Sequence, residues 1–499
     1  MCSEIGIGLL QRGRAGMQHS GIGGGGFALV RGSDGEYESI DFRETAPAAA
    51  HRDMYQHDPA ASVVGGLASG VPGDLRGLEY LHRKYGVSPD GRAPVTEDLV
   101  RYMASMTRTG RTFFTDDPQW SVDFAPNAGR HVWRSCLLPR RDGSDALPAL
   151  APNPLTRVAN HTVNALRASG GIMTLEDLAT YQVAIRDPIR ISYHGYELTS
   201  CGVPSSGAVA LSILKIIEGY PASDAANQNL SAHRMNEAMR FSYAARAELG
   251  DPDFFSYMTG LEADMLKPST ASHIRDRISD HHTRNVTDYN ARTFDLPENH
   301  GTSHIVTADG SGMSVSLTST VNILFGSQLV VPETGSCPSS PRVIMNDQMN
   351  DFSIPGVRNA FGFEPSPINF IAPHKRPLSS ISPIIATHPN GTLALSIGAA
   401  GGSRIITATA LAVRDVLERG TSLAAALAEP RMHDQLVPAT TTVEYAFDKS
   451  TAEALRRMGH NVTLVEPGFS AVQGLRMLGN GTFEAASEPR QINSGGLAV

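Results

Sequence analysis

Cysteine is scarce in this chain. Cys2, Cys136, Cys201 and Cys337 lie far apart and form no C-x-x-C pair, so neither a zinc site nor a disulfide framework is indicated. No window approaches the roughly 18 consecutive apolar residues of a membrane-crossing helix. The opening MCSEIGIGLLQRGR has a glutamate where an export signal needs an apolar core. Long basic runs are missing as well, and the formal net charge is −8, which argues against nucleic acid or an anionic membrane as partner and leaves small-molecule chemistry as the expectation. H-E-x-x-H, Walker and G-x-S-x-G motifs are absent, so metal, phosphate and serine-hydrolase chemistry lose their usual marks. There is no internal repeat and no long low-complexity tract.

What is present fits a soluble globular protein: 499 residues, 41% apolar and 18% charged, enough for two or three ordinary domains or one large layered one. Helical spacing marks residues 74–85, 233–248 and 405–418, and strand-like runs occupy 189–199, 303–307, 313–318 and 392–397. This mixture predicts an α/β or α+β layered fold. Residues 107–155 are polar, Arg- and Pro-rich and weakly periodic, and read as irregular. Glycosylation sequons occur at Asn160, Asn229, Asn285, Asn390, Asn461 and Asn480.

Several local patterns bear on chemistry. Gly21-Ile22-Gly23-Gly24-Gly25-Gly26 matches G-x-G-x-x-G, but a strand-like run, Phe27 to Val30, follows where a dinucleotide site needs a helix. These glycines are expected instead to let two layers of backbone approach closely. His281-His282, beside Asp280, lacks helical spacing and reads as a solvated loop. Thr302 stands directly after Gly301 at the first residue of a hairpin whose strands flank Asp309-Gly310. It reads either as an ordinary loop threonine or as a nucleophile that becomes a chain end when the bond before it is cut. Arg43, an exposed-type residue in DFRETAP, suits a bidentate grip on a carboxylate. Ser379-Ser380 offers hydroxyls, residues 346–351 (NDQMND) offer acceptors for an ammonium, and Gly401-Gly402 before a helix offers backbone N–H groups to an oxyanion. Together with Thr302 these make the inventory of an amidase.

The segments SGIGGGGF, FRETAP, VPGDLRGLEYLHRKYG, HRMNEAMRFSYAARAELGDPDF, GTSH, TSTVN, NDQMNDFS, RPLSS and GAAGGSRIITATA occur in the order of a known family. The chain resembles the γ-glutamyltranspeptidases, also called glutathione hydrolases, which are N-terminal-nucleophile hydrolases. That resemblance implies an α+β, four-layer αββα sandwich built from two intertwined fragments, residues 1–301 and 302–499. It implies that Thr302 is the nucleophile freed by self-cleavage after Gly301 and that Thr320 is the second threonine, hydrogen-bonded to it. Arg43, Ser379 and Ser380 resemble the clamp on the substrate's α-carboxylate. Asn322, Gln348 and Asp351 resemble the residues that hold its α-amino group, and Gly401 and Gly402 resemble the oxyanion hole. The implied partners are glutathione or another γ-glutamyl compound, with water, an amino acid or a dipeptide as acceptor. No cofactor and no metal are implied.

The sequence departs from the family pattern in four places. Only Gly16-Met17-Gln18 stands where an apolar, alanine-rich helix is usual; residues 86–170 look shorter and scrambled; residues 336–343 (SCPSSPRV) look inserted; and the usual upstream export signal or anchor is missing. Mispredicted exons would explain all four, and the sequons then point to a secreted, vacuolar or membrane-anchored product. Divergence is the competing account, with an unprocessed, non-catalytic binding or structural protein as the alternative function.

Overall fold

The computed structural model describes residues 19–86, 154–221, 227–289, 294–295, 301–331, 343–357, 364–491 and 494–498. The departures at Gly16-Met17-Gln18 and 336–342, most of 86–170, and the irregular stretch up to residue 153 lie outside the described residues.

Two antiparallel sheets form the centre. The first holds β1 (Gly25–Arg31), β2 (Tyr37–Phe42), β3 (Ala184–Arg186), β7 (Ser303–Ala308) and β8 (Ser314–Thr320) in the order β3-β2-β1-β8-β7. The second holds β4 (Ile189–Tyr193), β5 (Tyr196–Ser200), β12 (Ile384–Thr387), β13 (Leu393–Ala400), β17 (Ala471–Met477) and β18 (Phe483–Ala486) in the order β18-β17-β13-β12-β5-β4. Two-residue strands β6 (Phe294–Asp295) and β11 (Glu364–Pro365) pair with each other, as do β9 (Val330–Val331) and β10 (Val343–Ile344). A small sheet joins β14 (Met432–His433), β15 (Thr441–Glu444) and β16 (Val462–Val465).

Side-chain alternation along each strand sorts the layers. Phe27 and Leu29 of β1 point into the main core, while Ala28 and Val30 face the other way with Ile40 and Phe42, under Tyr80, Leu81 and Tyr85. Those aromatic residues belong to α1 (Asp74–Tyr85), whose Gly77 lies so close to the Phe42 ring that a Cβ there would meet it at 2.4 Å. The described chain then adds α2 (Pro154–Ala168), α3 (Leu175–Thr180), α4 (Gly207–Glu218), α5 (Gln228–Arg246), α6 (Met258–Met265), α7 (Pro268–Arg277), α8 (Arg404–Leu417), α9 (Leu423–Ala428) and α10 (Lys449–Arg457). Helices α4 and α8 cover the outer face of the second sheet, and α5 packs outside α4. The result is helix, sheet, sheet, helix: the αββα sandwich expected. Strands β7 and β8 lie against β13, and the facing row of β8 is Ser314, Ser316, Thr318 and Thr320, all buried. Small hydroxyl side chains let the sheets close tightly here, and Ser316 Oγ donates across the gap to the Ile397 carbonyl at 3.2 Å.

The hairpin expected around Asp309-Gly310 is present, its turn closing from Asp309 to Met313 with Gly312 at φ 83°. Two expectations are corrected. The run 189–199 is a hairpin, folded at His194 (φ 45°) and Gly195 (φ 82°). The glycine run brings backbone close chiefly within one sheet: a Cβ on Gly24 or Gly26 would lie 1.9 or 2.0 Å from carbonyl oxygens of β8.

Candidate active site

Thr320 ends the buried hydroxyl row of β8 and faces the residues that lead into β7. Its hydroxyl donates to the carbonyl oxygen of Gly301, while its own oxygen accepts the Asn322 N–H at 2.8 Å. The accepted bond leaves the single hydroxyl proton for Gly301, so its direction is fixed. That carbonyl belongs to the Gly301–Thr302 peptide bond. Thr302 is buried, and its own carbonyl oxygen lies 3.3 Å from His19 Nδ1. A Cβ on residue 301 would sit 2.3 Å from the Asn322 carbonyl oxygen, so only glycine fits before this bond.

Asn322, with φ 81°, turns the chain away from β8 and links this corner to the next. Its Nδ2 donates to the Asp347 carbonyl at 3.0 Å, and the Ile323 N–H donates to Asp347 Oδ1 at 3.0 Å. Asp347 opens a short 3-10 turn, Gln348–Asp351, in which Gln348 Nε2 and Arg43 Nη2 both donate to Asp351 Oδ2. Arg43 was expected to be an exposed-type residue; it is 2% exposed, because the β2 end carries it under residues 377–380. Its guanidinium also reaches the carbonyls of Pro377 at 3.5 Å and Leu378 at 3.4 Å. In the same segment Ser380 Oγ accepts from Arg246 Nη2 at 2.9 Å, and Ser379 Oγ accepts the Ile381 N–H at 3.2 Å. Thus Thr302, Thr320, Asn322, Gln348, Asp351 and Arg43 form one connected patch, with Ser379 and Ser380 adjoining it.

The patch is rich in acceptors that lack donors. Both oxygens of Glu44, Gln348 Oε1 and Asp347 Oδ2 are buried without a hydrogen-bond partner. Burial raises the Glu44 carboxyl to about 8; the Arg43 guanidinium, 3.8 Å away, opposes this, and Asp74 and Asp351 add to it. Burial likewise pushes Asp347 well above the usual carboxylate range, with Asp351 adding. Each such buried acceptor costs about 1–3 kcal/mol until it meets a donor. A guanidinium flanked by starved acceptors suits a zwitterion whose carboxylate and ammonium are close together.

Gly401 and Gly402 follow β13 directly, with φ of 126° and 59°. A Cβ on Gly401 would meet the Phe469 carbonyl oxygen at 2.4 Å, and one on Gly398 would lie 2.3 Å from the His304 ring. His304 is two residues beyond Thr302, so β13 crosses β7 beside the buried threonine. Among the described residues no hydrogen bond joins Gly401 or Gly402 to Thr302.

A search of protein families finds that the one described as Gamma-glutamyltranspeptidase matches residues 9–497. The chain belongs to that family. It is 48% identical to the glutathione hydrolase proenzyme of Arthroderma benhamiae, over 98% of this chain and 85% of the relative. It is 40% identical to the glutathione hydrolase of Aspergillus flavus, over 100% of this chain and 88% of the relative. Among solved structures, a cephalosporin acylase from Bacillus halodurans shares the fold, with a TM-score of 0.67 at 22% identity over 99% of this chain and 90% of that chain.

Against this γ-glutamyltranspeptidase background, sequence reading missed Glu44, Arg246 and His19. Glu44 directly follows Arg43, and Arg246 lies on the helix of the family segment containing SYAARAELGD, so adjacency and shared segments were the available signals. His281 and His282 are exposed, as a solvated loop requires. The histidines that do meet are His233 and His460, with Glu237, their ligand-type atoms within 4.8 Å of one another. His233 Nδ1 and His460 Nε2 lie 2.7 Å apart. Two nitrogens on a tetrahedral zinc would be roughly 3.3 Å apart. Tyr289 and Thr283 hydroxyls already hold Glu237, so the group is a hydrogen-bonded network. Among the described residues no helix is long and apolar enough to cross a membrane.

Proposed function

We propose that this protein is a γ-glutamyl hydrolase and transferase that makes its own nucleophile by cutting the Gly301–Thr302 bond. The observation that carries the reading is the Thr320 hydroxyl donating to the Gly301 carbonyl, with Thr302 buried beside it. In the uncut chain that donor polarises the carbonyl for attack by Thr302 Oγ, giving a tetrahedral oxyanion and then an ester in which the Thr302 nitrogen has become a free amine. Water hydrolyses the ester, leaving fragments 1–301 and 302–499.

The new α-amine, with an unperturbed pKa of about 7.7–8.0, then serves as the base for the Thr302 hydroxyl, directly or through water. Attack on the γ-amide carbonyl of glutathione or a conjugate places negative charge before the N–H groups of Gly401 and Gly402. Collapse expels the amine and leaves a γ-glutamyl ester on Thr302. Water releases glutamate; an amino acid or dipeptide takes the γ-glutamyl group instead. Arg43, with Ser379 and Ser380, holds the α-carboxylate, and Asn322, Gln348 and Asp351 hold the α-ammonium. In the empty site Arg43 and Asp351 neutralise each other, and a zwitterion extends that pair without changing its net charge.

Purified protein run on a denaturing gel tests this. Two bands are expected, the smaller reading TSHIVTADG at its N-terminus, together with amine release from a γ-glutamyl amide. Thr302→Ala should abolish both cleavage and turnover, and Thr302→Ser should retain some of each. Cleavage elsewhere, or full activity in uncut Thr302→Ala protein, would sink the assignment.

A further inference from the structure

Arg246 is the last residue of α5 and is buried, at 5% exposure. Burial lowers its guanidinium from the ordinary value; Tyr243 and Asp351 oppose this, and Arg43 adds to it. Among the described residues Arg246 forms no ion pair. Its Nε donates to Ser206 Oγ at 3.0 Å and its Nη2 to Ser380 Oγ at 2.9 Å, both neutral hydroxyls. A buried charge without a counterion is costly. The C-terminal end of α5, where the helix carbonyls favour a cation, offsets only part of that cost. Asp351 already accepts from Arg43 and Gln348. What Arg246 lacks is an anion of its own beside Ser380.

Hydrogen-bond direction shows how such an anion would be met. Ser380 has one hydroxyl proton, and its oxygen accepts from Arg246. Among the described residues Ser380 Oγ makes no other hydrogen bond, and the side chain is half-buried, so its proton is free for an incoming acceptor. Ser206 makes the opposite use of the same arginine: it accepts from Arg246 and gives its proton to the Ser379 carbonyl at 2.5 Å. The Ser206 N–H donates to the Ile381 carbonyl at 2.9 Å, and the Ser379 N–H donates to the Pro204 carbonyl at 2.8 Å. Residues 204–206 thus clip residues 379–381 from alongside. One guanidinium fixes the backbone of the serine pair through Ser206 and the hydroxyl of Ser380 directly.

Resting on the γ-glutamyl reading above, we propose that Arg246 is a positioning residue for the substrate's α-carboxylate, aiming the Ser380 proton at it and placing a second positive charge behind that hydroxyl. Arg43 is paired with Asp351 in the empty site, so recognition of the carboxylate draws on a further cation that never touches it. Carboxylate, Ser380 and Arg246 then form a chain in which the charge-assisted bond at one end strengthens the bond at the other. The site selects donors with a carboxylate on the α-carbon, and Arg246 sets part of that selectivity.

L-Glutamate and 4-aminobutanoate, which is glutamate without its α-carboxylate, test this as competitive inhibitors of γ-glutamyl-p-nitroanilide hydrolysis. Arg246→Gln should be cut after Gly301 like wild type, because self-cleavage uses no carboxylate. Its KM for the anilide and its Ki for L-glutamate should each rise about tenfold, the worth of one hydrogen bond to a charged group, with kcat changed less than about threefold. The Ki for 4-aminobutanoate should stay within about twofold, and Arg246→Lys should recover part of the loss. In a Ser380→Ala background the same Arg246→Gln change should raise KM less than about threefold, since the hydroxyl it acts through is gone. Equal rises in both Ki values, an unchanged KM, or the full rise persisting in Ser380→Ala would overturn the role. Should Arg246→Gln fail to fold, Arg246→Lys decides in its place: weaker binding of L-glutamate relative to 4-aminobutanoate supports the role, and a ratio equal to that of wild type overturns it. A wild type inert to every γ-glutamyl donor would instead overturn the underlying reading, and this role with it.

Discussion

Arg43 and Glu44 are neighbours in sequence and opposites in accessibility to sequence reasoning. A guanidinium matches a planar carboxylate whatever its surroundings, so Arg43 could be singled out from its residue type, although its burial could not. Glu44 matters because it is buried without donors, a property that only packing confers. Arg43→Ala should raise KM for γ-glutamyl-p-nitroanilide by the equivalent of about 2–5 kcal/mol, since it also strands Asp351 and Glu44 without their cation; an unchanged KM would remove Arg43 from the site. Asp351→Asn should weaken binding in the same direction. Glu44 adds a pH dependence. Its carboxyl is raised to about 8 by burial, so it is largely protonated at neutral pH in the empty site. A bound ammonium favours the carboxylate, so binding releases a proton and strengthens as pH rises from 6 to 8. KM should fall over that range and flatten in Glu44→Gln; the Thr302 amine titrates in both proteins, so the difference between them isolates Glu44. A Glu44→Gln profile parallel to wild type would dismiss the carboxyl.

Where a pattern had one partially solvated face, the sequence revealed the element. Helix α1 ran from 74 to 85 as read, because its apolar stripe, its first-turn Asp74 and the following Gly86 all agree. Helix α4 went unread: all its residues but Lys215 and Glu218 are buried, so no polar face breaks its apolar run into a period. The crossing of β7 and β13 was equally invisible, because it depends on what Gly398 meets and not on what Gly398 is. That crossing predicts a paired effect. Gly398→Ala would place a methyl 2.3 Å from the His304 ring and so push apart the strands that adjoin Thr302 on one side and Gly401 and Gly402 on the other. Overpacking of this kind costs about 1–3 kcal/mol. Gly398→Ala should therefore lower Tm and leave more chain uncut at Gly301, and adding His304→Ala should restore part of both. A single mutant that melts and self-cleaves like wild type would show that the sheets can separate there freely.

Cutting after Gly301 would separate the chain but not the fold, because both sheets draw strands from each side of the cut: β1, β2 and β3 with β7 and β8, and β4 and β5 with β12, β13, β17 and β18. Arg43 with Asp351, Arg246 with Ser380 and His233 with His460 also cross it. Buried area would therefore hold the fragments together at neutral pH, and acid should loosen them through the histidines. Burial lowers His304 to about 3, and burial, then His233 and Arg240, lowers His460 to about 3. Their unfolded value is about 6.5, so below that pH the unfolded chain binds more protons. The stability these neutral rings contribute is complete above pH 6.5 and is lost as pH falls toward 3, by up to about 1.4 kcal/mol per pH unit for each ring. Raised carboxyls act in the opposite sense: burial lifts Asp74 to about 7 and Glu262 to about 7, so their contribution is present below their ordinary values and lost as pH rises through 7. A comparison that holds those groups constant separates the two effects. Denaturant unfolding of wild type and His460→Asn at pH 7.5, 6.5, 5.5 and 5.0 should give curves whose separation is constant above pH 6.5. Below it, the wild type should lose stability faster by up to about 1.4 kcal/mol per pH unit. Gel filtration of the cut protein should show the fragments co-eluting at pH 7.5 and parting, or unfolding together, earlier in acid for wild type than for the variant. Parallel stability curves across the whole range would mean that His460 takes up its proton in the folded protein as readily as in the unfolded chain.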